Sequence, residues 1–224
     1  AKGTYSVGIE GYRNITLLPG TEKEQVVRDA GVNKVMHFSV DGSPVEPRRQ
    51  VVAIENCNQC HMSLTLHGFN RNQIEQCVLC HNPMITDTAR RPADDQPPQS
   101  IDFRMMIHKI HTGEELTYDY SVYGFGNVKH NYNKVLYPGD RRNCGACHVN
   151  DSEQLPLGEK LIKAVDPRGY LNPVSPTTAA CTGCHTSIQA ASHALVNTTE
   201  LLGESCSVCH GPNADFSVNR SHAR

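Results

Sequence analysis

The sequence predicts a mainly irregular and α-helical chain, with short helices packed around something other than an ordinary apolar core and a small β segment at the N-terminus. Three observations carry this reading. The supply of core material is thin: 224 residues contain no Trp and five Phe, and the mean hydropathy is negative, although a chain of this length normally buries about 70% of its surface. The ten cysteines fall into five identical clusters. Residues 1–53 contain no cysteine and alternate as strands do.

The cysteine clusters explain the first observation. The pairs are Cys57/Cys60, Cys77/Cys80, Cys144/Cys147, Cys181/Cys184 and Cys206/Cys209, and each is followed at once by a histidine: His61, His81, His148, His185 and His210. C-x-x-C-H is the attachment motif of c-type haem. Two thiols add to the two vinyl groups on one porphyrin edge, and the next residue points an imidazole at the iron. Five disulfides would not require a histidine at the same offset five times. Zinc suits C-x-x-C with histidine, but it would need two motifs per metal, and five is odd. Five covalently bound haems, at about 45 residues each, would replace the missing core and lie close enough to exchange electrons.

The second axial position of each iron separates electron transfer from catalysis. Seven histidines lie outside the motifs: His37, His67, His108, His111, His130, His193 and His222. His108 and His111 belong to a helix expected over 101–111, with Ser100 as its N-cap and Gly113 as its stop. Their i, i+3 spacing puts both rings on one face. They could share one small metal ion, but each reaching a different iron would staple two haems to one helix. His67 follows His61 too closely to round the same porphyrin, so a neighbouring haem is its expected target. His193 could instead pack its helix, and His222 could belong to a frayed tail. Met62 and Met84 are ligand candidates by position alone, with packing on porphyrin edges the plainer role.

The remaining chain reads as connectors. Tyr5–Glu10 and Val35–Val40 are expected strands, and Asp41-Gly42-Ser43-Pro44 a turn leading to a further strand over Val45–Ala53. This gives a β-rich segment 1–53 and a haem-bearing domain 54–224. His37 falls on a strand and is expected to be structural. Arg71, Arg104, Lys109, Arg141 and Arg142 are candidate partners of haem propionates or ordinary solvated charges. The formal net charge is −2 with no basic run, which gives nucleic-acid binding no support. No segment approaches the roughly 18 apolar residues of a membrane span. Ala1-Lys2-Gly3-Thr4-Tyr5 contains no signal core, as expected of a processed chain or of a piece of a longer one.

The ordered set Arg49-Gln50-Val51-Val52, Cys57–His61 with Leu64-Thr65-Leu66-His67-Gly68, Cys77–Pro83, Met106–Gly113, Tyr137–Cys144, Cys206–Pro212 and the trailing His222 resembles the OmcA/MtrC-type outer-membrane multihaem cytochromes. The resemblance implies a pentahaem domain with bis-histidine haems, placed on the cell surface or secreted, with the periplasm as the alternative. It would pass electrons to extracellular acceptors such as metal oxides, shuttles or partner cytochromes. Carried over position by position, the distal ligands would be His67, His108, His111, His193 and His222, with His130 in reserve. Members of that family usually carry about ten haems, so this chain is expected to be a shortened form or one that assembles with others. Such a protein is a carrier with no catalytic residue. A multihaem reductase would need an open iron, and no motif here has Lys in the proximal slot. A subunit of a haem filament would differ in assembly rather than chemistry.

Overall fold

A computed structural model describes residues 2–223 and divides into two compact units, Ala1–Cys80 with Ala146–Asn150, and His81–Gly145 with Asp151–Arg224. In the first unit, β1 (Thr4–Ile9) pairs antiparallel with β4 (Lys34–Ser39), Val7 opposite Met36. Inserted between them, β2 (Tyr12–Leu17) and β3 (Gln25–Ala30) form a hairpin of their own, Ile15 opposite Val27. Two-stranded ribbons are marginal by themselves, and these are tied down by polar contacts. Arg71 Nε donates to Glu10 Oε2 at 2.7 Å, while the backbone N–H groups of Asn33 and Asn72 each donate to the other's side-chain oxygen, at 3.1 and 2.8 Å.

The strand expected over Val45–Ala53 does not form. Asp41 does make its turn, accepting from the Ser43 backbone N–H at 3.1 Å, but the chain then runs on without a strand partner until Val52 bridges His148. Two helices complete the unit, α1 (Ile54–His61) and α2 (Ile74–Cys80). Both read Ile-Glu-x-Cys-x-x-Cys. In each the isoleucine is the buried anchor and the glutamate sits in the first turn, where it favours the positive end of the helix dipole.

The second unit is organised by α3 (Phe103–Thr112). Its N-cap is Asp102 rather than Ser100: the Asp102 carboxylate accepts from Met105 N–H at 3.2 Å. Ser100 instead receives the Asp102 N–H at 3.4 Å, supporting the cap from one residue further out. Gly113, at φ +54°, ends the helix as expected. The unit continues through the short hairpin β5 (Ser121–Tyr123) and β6 (Lys129–Asn131), then α4 (Pro176–Cys181), α5 (Ile188–Val196), the two-residue pair β7 (Thr198–Thr199) and β8 (Gly203–Glu204), α6 (Cys206–His210) and α7 (Val218–Ser221). Pro176 opens α4, a position that suits its missing N–H. Glu204 caps that helix, accepting from Thr177 and Thr178 N–H at 2.8 and 2.7 Å.

Among the described residues the apolar core here is one small cluster, Met105, Ala164, Val174 and Ala179, with Leu171 against it. Buried ion pairs do much of the remaining organising. Lys109 Nζ meets Asp166 Oδ2 at 3.1 Å between the rings of Tyr118 and Tyr120. Arg91 and Asp87, whose side chains are 0% exposed, pair at 2.9 Å. Asp87 also accepts the backbone N–H groups of Gln99 and Tyr123 at 2.8 and 2.9 Å. Replacing Arg91 with Met therefore leaves a buried carboxylate without its counter-charge. We expect a loss of about 3–5 kcal/mol in denaturant unfolding of the haem-loaded protein, and a loss below about 1 kcal/mol, the range of an exposed pair, would contradict it.

Candidate haem sites

Every C-x-x-C-H motif sits on or beside a helical turn. The first lies in α1 and the fifth fills α6; α2 ends at Cys80 and α4 at Cys181, and Cys144–Ala146 form a 3₁₀ turn. A helical turn brings sulfurs three residues apart to the same side, as attachment to one porphyrin edge requires. Among the described residues no disulfide joins the cysteines. Within the first unit the attachment points gather: burial raises the thiols of Cys57 and Cys77, and the next-largest cause is Cys147 for Cys57, with Cys57 also raising Cys77.

The two sulfurs of a motif differ in exposure in three of the five motifs. Cys60 is exposed, and so is Cys80, whereas Cys57 and Cys77 are half-buried. Helical geometry is the reason. With about 100° per residue, Cys57 lies roughly 60° round α1 from the buried Ile54, close to the packed face. Cys60, three residues further on, lies about 60° further round in the same direction, roughly 120° from Ile54, clear of that face. Cys77 and Cys80 repeat this relation to Ile74 on α2. In the last motif Cys206 is half-buried and Cys209 exposed, while Cys181 and Cys184 are both exposed and Cys144 and Cys147 both half-buried. Cys60 is therefore the more exposed sulfur of its motif and Cys57 the more buried.

The histidines come together in twos. In the second unit the rings of His185 and His222 have centroids 6.0 Å apart at an interplanar angle of 61°. Those of His193 and His210 are 6.1 Å apart at 83°. A metal held trans between two imidazoles by bonds of about 2 Å puts ring centroids about 6 Å apart. Each pair joins a motif histidine to one of the non-motif histidines singled out above. Among the described residues no three His, Cys, Asp or Glu side chains converge as a tetrahedral site would need. Two imidazoles at this separation beside a helical C-x-x-C would suit a haem.

The tautomers fit as well. His81 Nδ1 lies 2.9 Å from Ile101 O, and His210 Nδ1 lies 2.8 Å from Phe216 O. His111 and His222 each reach the carbonyl four residues back in their own segment, Ile107 O and Val218 O, both at 2.9 Å. A carbonyl can only accept, so Nδ1 is the donor in each of these contacts; a neutral ring held this way keeps its lone pair on Nε2, the state a metal ligand needs.

The other candidates have distinct surroundings. His108 packs on Gly183 and His111 stands edge-on to Tyr137 at 5.5 Å, so the two rings of α3 meet different neighbours. His67 opens a tight turn in which His67, Gly68 and Phe69 all have positive φ (52°, 79° and 65°), a conformation that is costly for the two non-glycine residues. Arg28 holds the turn by donating to Gly68 O at 2.9 Å. His37 on β4 meets Ser6 Oγ at 2.7 Å, a local structural contact. His130 is exposed on β6 with its ring over Gly124. Met62 and Met84 are 89% and 64% exposed. The five basic residues considered as propionate partners all meet carboxylates of the chain: Arg71 with Glu10, Arg104 with Asp102, Lys109 with Asp166, Arg141 with Glu115 and Arg142 with Asp140. Sequence reasoning did not find the carbonyl anchors or Tyr137; main-chain acceptors leave no residue signature.

Helical C-x-x-C-H turns with paired imidazoles define a multihaem c-type cytochrome. A model of the outer membrane cytochrome MtrC/MtrF-like family, domains II/IV, matches residues 49–223, and the chain belongs to that family. The crystal structure of the outer membrane decaheme cytochrome OmcA matches with a TM-score of 0.54 and 27% identity, over 98% of this chain and 29% of that one. The chain thus spans less than a third of that relative. No curated protein matches. The chain is a domain of an outer membrane cytochrome family, whose name implies c-type haem. Among the described residues no helix is long and apolar enough to cross a membrane.

Proposed function

We propose that this chain is a pentahaem relay. It would hold haems at Cys57 and Cys60, Cys77 and Cys80, Cys144 and Cys147, Cys181 and Cys184, and Cys206 and Cys209, with His61, His81, His148, His185 and His210 as proximal ligands. Residues 54–224 form the relay domain and 1–53 a β-rich segment. The distal ligands are His67, His108, His111, His193 and His222. Two pairings are specific: His185 and His222 would hold the haem of the fourth motif, and His210 and His193 that of the fifth. The observation that carries the reading is the pair of 6.0 and 6.1 Å ring separations. His108 and His111, one turn apart on α3, serve two different irons. Bound haem supplies reversible one-electron exchange at iron. The chain's part is to fix both imidazoles, so that neither oxidation state gains or loses a ligand, and to pass electrons to extracellular acceptors such as metal oxides, shuttles or partner cytochromes.

Intact mass with a pyridine haemochrome assay should give five haems per chain. EPR of the oxidised protein should show only low-spin iron, as expected where both axial positions hold imidazole. A stoichiometric high-spin signal in undamaged protein would instead identify an iron with an open position and favour a reductase.

A further inference from the structure

The helix that carries His108 and His111 rests on the attachment loop of another motif. A Cβ built on Gly183, the residue before Cys184, would overlap the Cβ of His108 and come within 3.3 Å of its Cγ. A Cβ on Gly145, also between motif cysteines, meets nothing closer than 4.0 Å. The contact is reinforced one turn along. Thr112, 3% exposed, has its hydroxyl 2.9 Å from His108 O, 2.9 Å from Gly183 O and 3.3 Å from Cys184 Sγ. One hydroxyl proton is thus shared among the ligand helix, the loop backbone and the sulfur that closes the motif. Core residues Met105 on α3 and Ala179 on α4 share the small apolar cluster, so α3 has little freedom to slide away from the loop.

We propose that the Thr182-Gly183 step of the fourth motif is the seat of the His108 helix, and that Gly183 and Thr112 are positioning residues for the His108 ligand. The loop that attaches one haem thereby also sets the ligand of another. Gly183 acts through its lack of a side chain: anything larger moves the first carbon of His108 and swings its Nε2, several bonds further out. Thr112 acts by holding the helix down on the loop. The proposal rests on the assignment of His108 as an iron ligand.

The test uses the haem-loaded chain with four substitutions, Gly183→Ala, Thr112→Val, Thr112→Ser and His108→Met. Haem count is read by intact mass, individual haems by paramagnetic NMR of their methyl groups, and potentials by spectroelectrochemistry. His108→Met identifies the haem that His108 serves. Gly183→Ala should then alter that same haem, in low-spin spectrum and potential, at an unchanged haem count. Thr112→Val should shift it in a smaller step, and Thr112→Ser should restore it. If Gly183→Ala also lost the haem of its own motif, Thr112→Val would decide: a shift of the His108 haem supports the seat and none refutes it. If His108→Met altered one haem while Gly183→Ala and Thr112→Val left that haem unchanged, the positioning role would be wrong and the ligand assignment would stand. If His108→Met altered no haem, the ligand assignment itself would fail.

Discussion

Made without covalent haem attachment, the chain is expected to stay unfolded and to be degraded. Among the described residues the buried apolar ones are Ile54, Ile74, Met105, Leu116, Tyr120, Leu155, Val174 and three alanines, Ala164, Ala179 and Ala191. Three alanines and scattered larger residues bury too little apolar area to offset the ordering of 224 residues. Meanwhile Leu201, Phe125, Met62 and Leu202 stand 84–91% exposed on the polypeptide alone. On the pentahaem reading, porphyrin faces supply the apolar contact area that side chains do not. The check is far-UV circular dichroism and limited proteolysis of a variant with all ten cysteines replaced by serine. A cooperative thermal transition in that variant would show that the polypeptide folds by itself and would remove the physical basis of the reading.

Exchanging His222 and His193 for methionine, one at a time, should raise the potential of two different haems. On the proposed pairing, His222→Met should act on the haem of Cys181 and Cys184, because its ring lies 6.0 Å from that of His185. His193→Met should act on the haem of Cys206 and Cys209, because its ring lies 6.1 Å from that of His210. Ferric iron is the harder acid, so replacing nitrogen by thioether sulfur disfavours the oxidised state and the potential rises. The step is on the order of 0.1 V, a fraction of the roughly 0.8 V that axial ligands span. A raised site holds its electron longer and slows passage along the relay without unfolding the protein. Spectroelectrochemical titration with haem-methyl NMR would locate each shift. If both variants moved the same haem, or each moved the other's, the pairing read from the rings would be wrong.

What the sequence made legible follows from how local each signal is. C-x-x-C-H is a covalent requirement confined to five residues, so its positions and its helical turns could be read directly. The unequal exposure of Cys57 and Cys60 could not, because it depends on which face of α1 the fold buries. The α3 helix was legible because apolar and histidine periodicity ran unbroken to Gly113. Its cap was misplaced by two residues because Ser100 and Asp102 are both good caps; only Met105 N–H, which Asp102 accepts, separates them. The β2–β3 hairpin left no pattern because most of its residues are exposed on both faces, so nothing forces apolar alternation. The strand after Asp41–Pro44 was expected from a turn signal, and a turn signal does not reveal whether a partner exists. The five basic residues found carboxylates far along the chain in three cases, Glu10 with Arg71, Glu115 with Arg141 and Asp166 with Lys109. Contacts over such separations are set by the fold and are invisible to local reading.

The carbonyl anchors of His81, His111, His210 and His222 carry a consequence for robustness. A ring steadied by a carboxylate is steadied by a group that can be protonated, and a ring steadied by a hydroxyl depends on a side chain that one mutation removes. A main-chain carbonyl has neither weakness: it does not titrate in water, and every amino acid has one. The identity of Ile101, Ile107, Phe216 or Val218 can therefore change while the anchor persists, provided the local backbone path is kept. Tuning at these rings is written into the course of the main chain rather than into particular neighbours. Drift among surface side chains would alter the protein's charge and its partners long before it reoriented these four imidazoles.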